Sequence, residues 1–328
     1  MKQGIIVLLV IIFFVGSLAG YLLSGSFKKV SISSSGCLEK YTYINPLLGC
    51  DFKFVIKKHG YIELKDKIEI YIDSQKKAGK IKDTSVYYRD LVNGPWFGIE
   101  EKKTFIPASL LKLPIMLTFL KMADDDPNLL SEKLTIKRLP KDVEDQYFKP
   151  EKTVEIGETY TMEDLLEIMI VYSDNHASGF LLDHLYSTSK EKDPLLVTLR
   201  ETGTLGSDSK PFEEISVKAY GSFFRLLFNP SYLSNEMSDK ALGYLSKSMF
   251  DQGIAGGVPK GVKVAHKFGE RDLDDNLNQL HDCGIVYFPK NPYILCVMTR
   301  GEDFKDLSKV IQDISKMVYE EVDSRKIN

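Results

Sequence analysis

A serine hydroxyl is a weak nucleophile until a neighbouring base takes its proton. Ser109-Leu110-Leu111-Lys112 places a lysine three residues after a serine, on the same face of a helix and within reach of it. Ser173-Asp174-Asn175 offers a second hydroxyl with a carboxylate and an amide, and Lys267-Phe268-Gly269 offers a second amine beside a glycine. The strings follow one another at separations of 64 and 94 residues. Together they read as a serine acyl-transfer site, with Ser109 as nucleophile and Lys112 as its activator. Each string has a plainer reading. Ser109 could cap a helix, Ser173-Asp174-Asn175 could open one, and Lys267 could be a solvated lysine on a half-exposed strand. The joint occurrence in one order favours the site.

The elements that would carry these residues follow from periodicity. Tyr61–Lys80 reads as a helix, and Ser85–Leu91 with Trp96–Ile99 as a hairpin turned by Asn93-Gly94. Between Pro107 and Met122 an apolar helix carries the Ser/Lys pair, with Pro114 near its first turns. From Asp124 to about Ser248 the pattern is helical without a strong strand signal: Met162–Tyr172, Ala177–Tyr186, Val217–Phe228 and Asp239–Phe250. Strand-like runs follow at Val262–Phe268, Gly284–Phe288 and Tyr293–Thr299, then a helix at Phe304–Val322. A hairpin, a helical insertion and three more strands predict an α+β fold. Its antiparallel β-sheet is flanked by helices, and the all-α lobe at about 124–250 meets it at the catalytic residues.

With these motifs the chain resembles the class A serine β-lactamases and the related penicillin-binding D,D-peptidases, marked by S-x-x-K, S-D-N and K-T-G. The resemblance covers about Tyr61 to Val322 and implies a β-lactamase/transpeptidase-like domain over 61–328. It implies that Ser173 relays a proton to the leaving group, that Asn175 holds the substrate amide and the catalytic lysine, and that Asp174 is structural. Lys267 would attract a substrate carboxylate, Gly269 would let substrate approach the strand, and the Glu270 N–H would be a second oxyanion donor beside that of Ser109. Phe268 departs from the usual Thr or Ser and removes one hydroxyl contact, for which Arg271 could compensate as a bidentate partner. The larger departure concerns deacylation. Class A enzymes carry a Glu, in a Glu-x-x-Leu-Asn stretch, that activates the hydrolytic water. No such string occurs here. The segment between Arg200 and Ile215 holds Glu201, Glu213 and Glu214, whose plain reading is surface charge. The expected function is a serine β-lactamase-like hydrolase that forms an acyl-enzyme. The alternatives are a D,D-peptidase acting on peptidoglycan peptides and a catalytically silent wall-binding protein.

Composition excludes little else. The 43 basic and 46 acidic side chains nearly cancel, which leaves no footprint for nucleic acid. No zinc-type cysteine spacing and no H-E-x-x-H pair occurs, so neither metal nor cofactor is expected. Ile5–Leu23 is free of charge and, as a helix, about 28 Å long. It reads as a retained anchor in preference to a signal cleaved after Ser17-Leu18-Ala19, with 1–24 as anchor and 25–60 as spacer and small loop segment. The resemblance then puts the catalytic domain outside the cytoplasm. Cys37 and Cys50 flank a short loop that a local bridge would close, and Cys283 and Cys296 read as buried small hydrophobes in adjacent strands.

Overall fold

The computed structural model describes residues 41–46, 61–141, 143, 145–204, 213–273 and 277–325. The anchor, the spacer and the Cys37/Cys50 pair lie outside them. Among the described residues no helix is long and apolar enough to cross a membrane.

The chain starts with α1 (Ile62–Lys77), then the hairpin β1 (Asp83–Asp90) and β2 (Trp96–Ile99), and a short β3 (Thr104–Phe105). A 3-10 turn at Ala108–Leu111 runs straight into α2 (Lys112–Asp125). The lobe holds β4 (Lys133–Thr135), β5 (Thr159–Thr161), α3 (Met162–Val171), α4 (Asn175–Thr188), α5 (Pro194–Glu201), β6 (Ile215–Ser216), α6 (Val217–Phe228) and α7 (Asn235–Leu245). The chain then returns through β7 (Val264–Leu273), β8 (Leu277–Val286) and β9 (Tyr293–Gly301) to α8 (Phe304–Ser324). The main sheet has the order β2-β1-β9-β8-β7 and is antiparallel throughout, so β7 is an edge.

Period-two alternation divides the side chains of the sheet between two cores. On β9, Leu295 and Val297 join α1 and α8 on one face, where Leu64, Ile68 and Ile72 meet Leu307, Ile311, Ile314 and Val318. Ile294, Cys296 and Met298 join the helical lobe on the other face. α2 lies deep in that lobe, with every residue from Lys112 to Leu120 buried. Pro114 is its third residue, where a missing N–H breaks no intrahelical bond, so the helix is not interrupted.

The expected architecture is present, with four local corrections. The lobe is not purely helical: β4 pairs with β5, and β3 pairs with β6, each over two or three residues, too short to show alternation. α5 was not expected, although Asp193 caps it by accepting from Leu196 N at 3.0 Å and Pro194 opens it. The helix expected at Asp239–Phe250 starts earlier, at Asn235, because the Ser234 hydroxyl accepts from Met237 N at 3.2 Å. Cys283 and Cys296 are buried in adjacent strands as expected, but they are directly opposed and joined as a disulfide.

Candidate active site

Ser109 sits in the tight turn that feeds α2. The preceding Ala108 has φ +49°, a left-handed conformation that an alanine rarely adopts. The Ile106–Leu110 turn packs against β7, where a Cβ at Gly269 would lie 2.8 Å from Pro107 O and 3.0 Å from Leu110 N. Gly269 is therefore required by the turn that holds Ser109, a different reason from the substrate access expected of it. Tyr220 of α6 fixes the far side of the turn by donating to Leu110 O at 3.0 Å.

Lys112 is 3% exposed, and its Nζ donates to Ser109 Oγ at 2.9 Å. It also reaches Ser173 O at 2.6 Å, Ser173 Oγ at 3.2 Å and Asn175 Oδ1 at 2.5 Å. Burial lowers this amine from 10.5 to about 7, opposed by the Asp174 and Glu270 carboxylates. At neutral pH an amine with that value is about half unprotonated, and that share can accept a proton.

Ser173 lies between α3 and α4 with φ +56° and no exposure. Its strain is held by the groups on either side. Asp174 caps α4 by accepting from Ala177 N at 2.7 Å, while its other oxygen accepts from Thr153 Oγ1 at 2.7 Å. The Ser173 carbonyl accepts from Lys112 and from Gln146 Nε2 at 3.2 Å. Asp174 thus has the structural place expected of it, and Asn175 contacts the lysine as expected.

Lys267 was expected at the end of a half-exposed strand. It is instead the fourth residue of ten in β7 and 0% exposed. Its Nζ donates to Ser173 Oγ at 2.8 Å and to Phe268 O at 2.8 Å. Burial, together with the repelling charge of Lys112, holds this amine well below its usual value. Phe268 belongs to the other core, where its ring stacks on Phe250 at 4.0 Å, and the Lys267 amine lies 4.4 Å from the centre of that ring. The absent hydroxyl is thereby traded for a core contact.

Ser109, Lys112, Asn175, Glu213, Glu270 and Arg271 line one cleft of about 780 Å³. The Glu270 carboxylate accepts from Phe148 N at 3.0 Å, and burial raises its pKa above the ordinary carboxylate value. The three acidic candidates separate here. Glu201 accepts from Tyr232 OH at 3.1 Å and Glu214 from Thr104 Oγ1 at 2.5 Å, whereas Glu213 faces the cleft. Ser109, Lys112, Ser173, Asn175, Lys267, Gly269, Glu270 and Arg271 come together here, whereas Glu201 and Glu214 do not. Gln146 and Tyr220 were missed, since a lone Gln in a loop and a Tyr on an apolar helix carry no spacing signal.

The match to the Beta-lactamase enzyme family runs over residues 63–322, and the chain belongs to that family. A comparison with curated proteins finds no match. Among solved structures, the L158E mutant of PBP-A, an acyl-enzyme complex with penicillin G, is similar at 22% identity and TM-score 0.66, covering 81% of this chain and 98% of that one. A β-lactamase from Chitinophaga pinensis DSM 2588 is 18% identical with TM-score 0.68, covering 79% of this chain and 99% of that one. The TLA-3 extended-spectrum β-lactamase is 19% identical with TM-score 0.69, covering 80% and 99%.

Proposed function

We propose that the protein is a serine acyl-transfer enzyme acting on β-lactams through an acyl-enzyme at Ser109. The carrying observation is the 2.9 Å contact between Ser109 Oγ and a buried Lys112 amine lowered to about 7. Neutral Lys112 takes the hydroxyl proton as Oγ attacks the lactam carbonyl carbon. The oxyanion is met by the N–H of Ser109, at the start of the helical segment, and by the N–H of Glu270 on β7. The C–N bond then breaks, and Ser173 gives its proton to the departing nitrogen. It regains one through Lys112 or Lys267, which lie 3.2 and 2.8 Å from its Oγ. Asn175 and Arg271 line the cleft and serve substrate binding in this reading, while Lys267, with no exposure, acts through Ser173.

A specific observation favours slow release of the acyl group, and with it the D,D-peptidase reading on peptidoglycan peptides. The Glu-x-x-Leu-Asn string is absent, and Glu201 and Glu214 are engaged with Tyr232 and Thr104. Intact-mass spectrometry with benzylpenicillin over time tests both points. Gain and slow loss of one penicilloyl mass supports the proposal, and no gain at any time supports a silent binding protein. We also place the domain outside the cytoplasm, held by Ile5–Leu23, a location that suits the Cys283–Cys296 disulfide. Protease treatment of intact cells checks this, since an internal domain would be protected.

A further inference from the structure

The strained turn at Ala108 has a second attachment, on the strand next to β7. Ile106, three residues before Ser109, has both of its backbone polar groups held by side chains of β8. Its N–H donates to Gln279 Oε1 at 3.2 Å, and its carbonyl accepts from His281 Nε2 at 3.1 Å. The two side chains also bond each other, His281 Nε2 lying 3.1 Å from Gln279 Oε1. These contacts fix the chemistry of both residues. Only the oxygen of the Gln279 amide can receive the Ile106 N–H, and only an Nε2–H tautomer of His281 can face two oxygens. The imidazole is neutral: burial takes it from 6.5 to about 4, and its Nδ1 is buried without a partner.

The geometry points to Gln279 and His281 as positioning residues for the nucleophile, acting through Ile106. His281 is the register partner of Gly269, so the clamp and the glycine seat lie side by side across the β7–β8 ladder. One fixes the entrance of the turn at Ile106, and the other receives Pro107 O and Leu110 N. Between them Ala108 is kept at φ +49° and Ser109 Oγ at 2.9 Å from Lys112. Left-handed backbone at an alanine persists only where its surroundings over-determine it, and two side-chain bonds to one residue supply that constraint. Neither Gln279 nor His281 lies among the residues lining the cleft, so they touch the reaction only through the backbone.

This inference rests on the acylation reading, and its test separates the two. Acylation by benzylpenicillin is followed for the wild-type chain and for His281→Phe, Gln279→Met, His281→Gln and Leu280→Ala, at a temperature where all are folded. Phe keeps the edge packing against Phe105 but has no N–H, and Met removes the acceptor of Ile106 N. Leu280 is buried on the same strand but belongs to the core on the other face. The first two variants should lose ten-fold or more in the rate at saturating penicillin, with the half-saturating concentration unchanged. His281→Gln, which keeps an N–H, should recover part of that rate, and Leu280→Ala should keep all of it. Wild-type rates in both clamp variants, or an equal loss in Leu280→Ala, would overturn the assignment. Should the wild-type chain take no penicillin, the acylation reading falls, and the clamp is judged by a crystal structure of His281→Phe, or of Gln279→Met if that variant alone folds. Ala108 should then leave positive φ and the Ser109–Lys112 contact should open. An unchanged turn would overturn the clamp.

Discussion

Lys112 and Lys267 converge on one hydroxyl: their amines lie 3.2 and 2.8 Å from Ser173 Oγ. Two ammonium groups so placed repel one another in a buried site, and desolvation of each favours its neutral form. The pair therefore forms a reservoir of lone pairs and protons around Ser173, and its state sets both reactivity and stability.

Ser109→Ala should abolish covalent labelling by a fluorescent penicillin, with a change in stability within about 1 kcal/mol, as expected for loss of one partly exposed hydroxyl. Gel fluorescence and a thermal melt check the two halves. A penicilloyl mass on the alanine variant would remove Ser109 from its role.

Acylation should decline as pH falls through about 7, where Lys112 gains its proton. Lys112→Arg should be slower by about 10² or more, because a guanidinium does not give up its proton. Rate measurements from pH 5 to 9 on wild type and variant decide the matter. A flat profile, or a fast arginine variant, contradicts the assignment.

Stability carries the same signature. An unfolded chain holds the Lys112 proton up to about 10.5 and the folded one only to about 7, so over that window the unfolded state binds more protons. Folding stability should therefore rise with pH between about 7 and 10. Lys112→Met should make the rise shallower, leaving the share that the buried Lys267 amine contributes, as read from denaturant midpoints across that range.

Turnover of a chromogenic cephalosporin should show a burst of one equivalent followed by a slow phase. Glu201→Gln and Glu214→Gln should leave the slow phase unchanged, because those carboxylates are bonded to Tyr232 and Thr104. Fast turnover without a burst would refute slow deacylation. Its loss in Glu213→Gln or Glu270→Gln would then identify the carboxylate on the cleft that drives it.

Phe268→Thr restores the hydroxyl usual at this place but removes a ring stacked on Phe250 and set edge-on to Phe148. It should cost about 3 kcal/mol or more by cavity formation. Urea unfolding measures the loss, and an unchanged midpoint would show that the ring contributes little.

Ser109, Lys112 and the two partner strings, which the fold brings together, were legible in the sequence because each is a short run of unusual chemistry at a fixed place. The hairpin β1–β2 and β9 were legible nearly over their whole length, β7 and β8 only over their apolar parts. Glu270, Arg271 and Asp272 continue β7 opposite Leu280, Gln279 and Asn278, and such a polar end of a ladder has no hydrophobic period to read. The burial of Lys267 was equally hidden. Its acceptors are Ser173, 94 residues away, and a backbone carbonyl, so composition alone makes it a surface lysine. Gln279 and His281 are illegible for the same reason, since their partner is backbone rather than a motif.

The two faces of β7 have opposite duties along the same few residues. Ala265 belongs to the core of the helical lobe and the Lys267 amine meets Ser173, whereas Phe268 belongs to the core beneath α1 and α8 and stacks on Phe250. A single inserted or deleted residue in Val264–Gly269 would exchange the two sets and put a phenyl ring where the amine meets Ser173. In evolutionary terms the length of this strand is fixed more tightly than most of its side chains. Among relatives that keep the site, gains and losses of residues should fall outside it.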